Sequence, residues 1–322
     1  EGVDVAEAFR RNQRRLRQDV PNRMMKKLLP YAATVLLLFS GAFCFLMNRS
    51  GEVREEVPVA LSAGGKYAEL ILANGQKVDL HEGMEIKLRE RNSNIQVKGN
   101  VVYYHKKKDS VMVEEYNMIR TPLGGEFSLT LADGTKVWLN AMSELRYPVA
   151  FGGDTREVEL KGEAYFEVAK DSKRPFYVVI DAVKIEVYGT SFNVNTHYNN
   201  QVQTVLISGK IGVKGNESGL YKVAPSELVE FTSDGKFIRQ EKVNVLPYIA
   251  WRDGQFIFEN ESLEQIMSTL SLWYDVDVFY ASEKLKAHKF TGHMKKYENI
   301  NTILDAISKI MEVNFIIKDK TI

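Results

Sequence analysis

Twenty consecutive residues without a charge, Leu28 to Met47 (LLPYAATVLLLFSGAFCFLM), constrain this chain more than any other feature. At a rise of about 1.5 Å per residue they make a helix of roughly 30 Å, the thickness of a bilayer's hydrocarbon layer. A buried core helix of that length would carry polar positions, and a signal peptide has a shorter apolar stretch that ends at a small-residue cleavage site. Asn48-Arg49-Ser50-Gly51-Glu52 follows instead, so the run predicts a transmembrane helix over 28–47. Eight basic groups (Arg10, Arg11, Arg14, Arg15, Arg17, Arg23, Lys26, Lys27) precede it against four acids, whereas Arg49 and Arg54 on its far side stand among Glu52, Glu55 and Glu56. The positive excess places residues 1–27 in the cytoplasm and residues 48–322 outside it.

Over the whole chain, 43 Lys and Arg nearly cancel 42 Asp and Glu, so no global field steers nucleic acid or acidic substrates, and no direct nucleic-acid partner is expected. With 44% hydrophobic and 26% charged residues the chain has globular composition, which fits neither a disordered tail nor a polytopic membrane protein. Its one cysteine, Cys44, lies in the apolar run as a small hydrophobe, which excludes an intramolecular disulfide and any cysteine-rich metal site.

After a linker over 48–60, residues 61–250 alternate apolar and polar side chains in short runs broken by Asn-Gly, Asp-Gly or Gly-Gly, the chemistry of strands and hairpins. Leu70-Ile-Leu-Ala-Asn-Gly-Gln-Lys-Val-Asp-Leu80 recurs 59 residues on as Leu129-Thr-Leu-Ala-Asp-Gly-Thr-Lys-Val-Trp-Leu139, which predicts two hairpins of one design in an all-β domain. The character changes at 251–322. There Phe256-Ile-Phe258 reads as a strand, and Leu263, Ile266, Met267, Leu270 and Trp273 recur at helical spacing before Val276, Val278 and Tyr280 alternate. A shift of 37 residues reproduces the pattern in Ile300, Ile303, Leu304, Ile307 and Ile310, then Val313, Phe315 and Ile317, so a small α/β domain of two βαβ halves is expected. Glu261 or Ser262 is the expected cap of the first helix and Asn299 that of the second.

No catalytic or metal constellation emerges from the spacing, and no cofactor is expected. The five histidines (His81, His105, His197, His288, His293) never fall three or four apart, and neither a phosphate loop nor Gly-x-Ser-x-Gly is present. The carboxylates of Asp154, Glu157, Glu159, Glu163 and Glu167 are interleaved with Val158, Leu160, Tyr165, Phe166 and Val168, a period of two that reads as the solvated face of a strand.

Five stretches in order, Thr121-Pro-Leu-Gly-Gly-Glu-Phe127, Leu131-Ala-Asp-Gly-Thr-Lys-Val-Trp-Leu-Asn-Ala-Met-Ser143, Leu160-Lys-Gly-Glu-Ala-Tyr-Phe-Glu-Val-Ala169, Arg174-Pro-Phe176 and Val187-Tyr-Gly-Thr-Ser-Phe-Asn-Val194, resemble the motifs of the FecR family of single-span anti-sigma factors. The resemblance covers about residues 60–250. The C-terminal piece, with Phe256-Ile-Phe-Glu-Asn-Glu-Ser-Leu263 and its two βαβ halves, resembles the short secretin/TonB N-terminal-type domain that ends many members from the Bacteroidetes. The resemblance implies an inner-membrane protein with a cytoplasmic N-terminus and a periplasmic C-terminus, relaying a signal from a TonB-dependent outer-membrane receptor to an extracytoplasmic-function sigma factor. The sigma factor would be held by the cytoplasmic N-terminal region. About 27 residues precede the span, fewer than the family's helical anti-sigma domain, so a truncated remnant is expected. Val5 to Arg17 reads as one basic helix with Val5, Phe9 and Leu16 on a shared face, or as a polybasic stretch that favours anionic lipid.

The receptor's signalling domain is expected on residues 252–322, with Val276–Tyr280 and Val313–Lys318 as alternative strands for edge pairing. The resemblance also singles out Gly189-Thr190, since several members are cleaved there by their own chemistry and pass the stub to an intramembrane protease. The chain is otherwise expected not to be an enzyme. Gly189 entering a strand with Thr190 as an ordinary strand residue is the competing reading. A membrane-anchored enzyme acting on glycan, or a periplasmic assembly or transport component, is the alternative function.

Overall fold

The computed structural model describes residues 61–89, 93–99, 101–106, 115–216 and 219–322. The predicted span over 28–47, the basic tail and the linker lie outside the described residues. Among those described, no helix is long and apolar enough to cross a membrane.

The fold is mostly β, with a small helix-and-strand region at the C-terminus. Nineteen strands come first: β1 (Gly65–Ile71), β2 (Lys77–His81), β3 (Met84–Arg89), β4 (Ser93–Gly99), β5 (Val101–Lys106), β6 (Tyr116–Thr121), β7 (Gly125–Thr130), β8 (Lys136–Leu139), β9 (Ser143–Pro148), β10 (Arg156–Lys161), β11 (Glu163–Glu167), β12 (Phe176–Ile180), β13 (Val183–Val187), β14 (Ser191–Asn195), β15 (Gln201–Ser208), β16 (Ile211–Lys214), β17 (Tyr221–Val223), β18 (Glu227–Thr232) and β19 (Phe237–Lys242). Hydrogen bonding arranges them in two sheets. The first runs β2-β1-β6-β9-β10-β12-β13-β16-β17. The second runs β3-β4-β5-β7-β8-β11-β14-β15-β18-β19. A short parallel contact of Gly65 and Lys66 with Gly125 and Glu126 joins the two.

One continuous core lies between them. Leu70, Ile119, Leu145, Val158, Val178 and Ile185 of the first sheet meet Leu129, Val137, Phe166, Phe192, Val202 and Phe231 of the second, every one at most 2% exposed. The period-two pattern is what makes this possible, because alternate residues of each strand fall on the inner face. Among the described residues one ion pair crosses between the sheets. Arg156 of β10 donates to Asp133 at 2.7 Å, and its remaining donors reach the carbonyls of Ala169 at 2.9 Å and of Arg174 at 2.8 and 3.1 Å. With side chains 1% and 4% exposed, the pair is tolerated because the guanidinium keeps its hydrogen bonds.

Both copies of the repeated hairpin form. β1 and β2 turn at Asn74-Gly75 and β7 and β8 at Asp133-Gly134, with the same bonds: Leu72 N to Gln76 O at 2.9 Å and Leu131 N to Thr135 O at 2.8 Å. In each the turn carboxamide or carboxylate accepts the amide two residues on, from Gln76 at 2.9 Å and from Thr135 at 3.0 Å.

The C-terminal region follows a single helical turn at Leu246–Ile249 and a 3₁₀ turn at Ala250–Asp253. Strand β20 (Gln255–Ser262), helix α1 (Leu263–Tyr274), strand β21 (Lys289–Lys295) and helix α2 (Ile300–Met311) make two similar halves. The caps repeat at the expected interval: Ser262 closes a capping box with Gln265, Asn299 accepts from Asn301 N, and both helices end on a left-handed residue, Asp275 and Glu312. The structure differs in how the halves pair. β20 pairs antiparallel with β21, and the expected third strands, Val276–Tyr280 and Val313–Lys318, are short extended segments. The first pairs in parallel with residues 320–322 through Asp277 N to Lys320 O at 2.7 Å, and the second meets the same end through Lys318. Val276 joins the core around α1 and α2 and Val278, Tyr280, Phe315 and Ile317 pack against it, whereas Phe279 and Ile316, 78% and 79% exposed, face outward and gain nothing from burial.

Candidate functional site at the domain junction

Outward-facing positions of the second sheet, which alternate with its core residues, would be solvated in a lone sandwich. Several are instead buried and polar: Glu126 of β7 (8% exposed), Glu163 of β11 (7%) and Asn193 of β14 (2%). The C-terminal region covers them. The alternation puts Glu163 on a solvated strand face; in the structure the other domain sits on it, while Glu157 and Glu159 of β10 are exposed as the alternation predicts.

Lys296, directly after β21, is the centre of the contact. Its side chain is 1% exposed, and Nζ donates to Glu126 Oε2 at 2.5 Å and to Asn140 Oδ1 at 3.1 Å while lying 3.8 Å from the centroid of the Trp273 ring. Tyr297 donates to the other oxygen of Glu126 at 2.5 Å. The chain of bonds runs on into the sandwich, since Asn140 Nδ2 donates to Glu163 Oε2 at 2.8 Å and Asn193 Nδ2 to Glu163 Oε1 at 3.0 Å. Burial pulls the Lys296 ammonium below lysine's usual range, and the Glu126 carboxylate opposes that pull. Burial and the same carboxylate push the Tyr297 phenol up. The main chain of Lys296 is fixed as well, with N bonded to Gly254 O at 2.9 Å and O accepting from the Trp273 indole at 2.7 Å.

The motifs that carried the family resemblance meet here. Gly124 of Thr121-Pro-Leu-Gly-Gly-Glu has φ of +68°, donates to Leu272 O of α1 at 2.8 Å and accepts from Gly65 N at 2.7 Å. A Cβ on it would come within 2.8 Å of Tyr67 Oη and 3.2 Å of Trp273 O, so glycine is required for three segments to converge. Beside the junction lies a cleft of about 140 Å³ walled by His197, Tyr248, Trp251, Phe256, Glu261 and Gln265 among others. Burial raises the Glu261 carboxyl and pushes the Tyr248 phenol up to about 12.

Gly189 and Thr190, the sequence's candidate for self-cleavage, lie elsewhere, where the chain crosses from β13 in the first sheet to β14 in the second. Gly189 has φ of +143°, and a Cβ on it would meet Lys170 at 3.0 Å. Thr190 is 5% exposed, and its hydroxyl donates to the carbonyl of Lys210 at 3.0 Å, in the adjacent crossover from β15 to β16. No imidazole or carboxylate bonds that hydroxyl among the described residues. Spacing misses Lys296, Glu126, Asn140 and Asn193 as a group, since they are far apart in sequence and unremarkable singly.

One consequence concerns acid. His197 Nε2 lies 3.0 Å from Ala141 O, and burial lowers its pKa from the usual 6.5 while the Glu163 charge acts the other way. A group depressed in the folded state contributes stability that is complete above the unfolded pKa and is lost as pH falls through the folded value. Unfolding free energy should therefore decline as pH drops below 6.5, and His197→Gln should flatten that decline in a urea titration run at successive pH values.

Comparison with known proteins places this geometry. A FecR protein model matches residues 117–212 and a model of the FecR C-terminal region matches residues 255–322, together about half of the chain. Two crystal structures described as a "putative anti-sigma factor" from Parabacteroides distasonis, at 1.65 and 2.50 Å resolution, are each 25% identical with a TM-score of 0.59. They cover 63% and 64% of this chain and 96% of their own. No curated protein matches. The two models fall in order on the sandwich that carries Glu126, Glu163 and Asn193 and on the domain that carries Lys296, and the chain belongs to the FecR family.

Proposed function

We propose that the chain is a single-span anti-sigma factor of the bacterial inner membrane. Its basic N-terminal side would face the cytoplasm and hold an extracytoplasmic-function sigma factor, and its periplasmic part would receive the signalling domain of a TonB-dependent outer-membrane receptor. The observation that carries the reading is the match of both FecR models, with a structural neighbour described as an anti-sigma factor. The charge difference across Leu28–Met47 supports the orientation.

The receptor contact is assigned to the terminal domain, and of the two extended segments Val276–Tyr280 fits edge pairing better. Asp277 and Phe279 spend their amides on residues 320–322, whereas Val278 between them has no backbone hydrogen bond among the described residues, beside exposed Phe279. An added strand would pair with Val278 and cover that ring. Affinity purification of the full-length protein from membranes should recover a sigma factor with or without residues 252–322, and the receptor's signalling domain only with them. Recovery of an outer-membrane partner without any sigma factor would favour an assembly role.

Self-processing at Gly189-Thr190 belongs to the same reading. Thr190 Oγ1 would attack the Gly189 carbonyl carbon, the C–N bond would break as the Thr190 nitrogen takes the hydroxyl proton, and water would hydrolyse the resulting ester. The hydroxyl must first leave Lys210 O. The fragments would stay joined through β11 with β14 and β13 with β16, until their separation exposes the span to an intramembrane protease. On an immunoblot of doubly tagged protein, Thr190→Ala should abolish the cut and Thr190→Ser should keep it. A single full-length band in the unaltered protein removes this step.

A further inference from the structure

Residues 61–65 form a strap between the linker after the predicted span and the first strand, and the terminal domain closes over it. Leu61, 6% exposed, belongs to the hydrophobic core of the terminal domain together with Trp273, Leu270 and Ile322, and Ala63 packs against the same cluster. At Gly64 a Cβ would lie 2.2 Å from Gly124 O and 2.8 Å from Trp273 Cε3, so the strap passes with no room for a side chain between the sandwich and α1. The indole that covers Gly64 is the one that lies on the Lys296 ammonium and donates to the Lys296 carbonyl.

We propose that the terminal domain is a releasable clamp on this strap. While Lys296 is seated on Glu126 and Asn140, Trp273 holds Gly64 against Gly124 and Leu61 stays in the domain's core; undocking of the domain frees the segment that leads to the membrane.

Two features of the junction suit it to opening. The surface under the domain is polar, with Glu126, Glu163 and Asn193 all able to accept water, so the exposed sandwich face would remain soluble. Of the three buried polar atoms without a partner among the described residues, two lie at or beside this contact, Asn193 Oδ1 and Trp251 Nε1. Hydration of both on opening offsets part of what the lost ion pair contributed. The clamp stands on these contacts alone; its use as a signal rests on the function proposed above.

Thiol labelling of the full-length protein in membranes tests it, in a Cys44→Ser background that removes the other thiol. Leu61→Cys reports the clamped position, and Ser62→Cys, exposed on the same strap, sets the rate for an open thiol. With the junction intact, Leu61→Cys should react with a membrane-impermeant maleimide at least about tenfold more slowly than Ser62→Cys. Lys296→Met should bring the two rates together, and Glu126→Gln should do the same by stranding the ammonium, while amide exchange in β12 and β13 stays slow and shows the sandwich intact. Equal rates with the junction intact, or protection that persists in the variant that keeps the sandwich folded, overturn the clamp. Sigma-dependent transcription is measured in parallel. Release of the strap with repression unchanged leaves the clamp standing and removes the relay.

Discussion

A lysine ammonium taken almost wholly out of water is the constraint on which the arrangement of the two domains depends. Leaving such a charge unpaired would cost several kcal/mol, so Lys296 is stable only where a carboxylate, a carbonyl oxygen and an aromatic face converge. Glu126, Asn140 and Trp273 supply these, the first two from the sandwich and the third from α1. A shift of the terminal domain by one residue along β7 would break both contacts to the sandwich at once, while Trp273 moves with Lys296. The ion pair therefore sets one docking position, in the way that a buried polar group specifies register.

From that seat the polar contacts lead in two directions. Through Asn140 and Glu163 they reach Asn193 on β14, the strand that begins just after Gly189-Thr190. Through Trp273 and Gly124 they reach Gly64 and the strap. The terminal domain is thus linked, by way of a few residues, to the strand that follows Gly189-Thr190 and to the segment next to the predicted span. A receiver for an external partner is useful in a single-span relay only if its state is felt at such places. Arg252, 4.4 Å from the Tyr165 ring and 3.7 Å from Glu167, adds a more exposed tether that can yield first.

Local chemistry is legible in the sequence and coverage by a second domain is not. Asn74-Gly75 and Asp133-Gly134 specify two hairpins, because few residues accept the positive φ that such turns demand, and Ser262 and Asn299 cap their helices as their side chains suggest. Glu163 defeats the pattern because a period of two says that a residue lies opposite the core and says nothing of whether water or another domain lies there. Lys296 sits in Lys295-Lys296-Tyr297, which looks like any solvated turn, and its partner is 170 residues away. Gly124, Glu126, Asn140 and Glu163 all fall within the family motifs although none has a role in the sandwich core, and that is the available signal. The extended segments at Val276–Tyr280 and Val313–Lys318 alternate as strands do, but Phe279 and Ile316 have nothing in the described fold to pack against.

The claim that Lys296 and Glu126 hold the terminal domain in its seat is tested most directly by a double-mutant cycle. Lys296→Met, Glu126→Leu and the pair together are compared through unfolding free energies in urea, so that effects outside the contact cancel. A close, desolvated charge pair predicts a coupling energy of about 1.5 kcal/mol or more, with the double variant more stable than either single one. Additive effects with coupling near zero would contradict the account and leave the docking to the apolar contacts of Trp273 and Leu61.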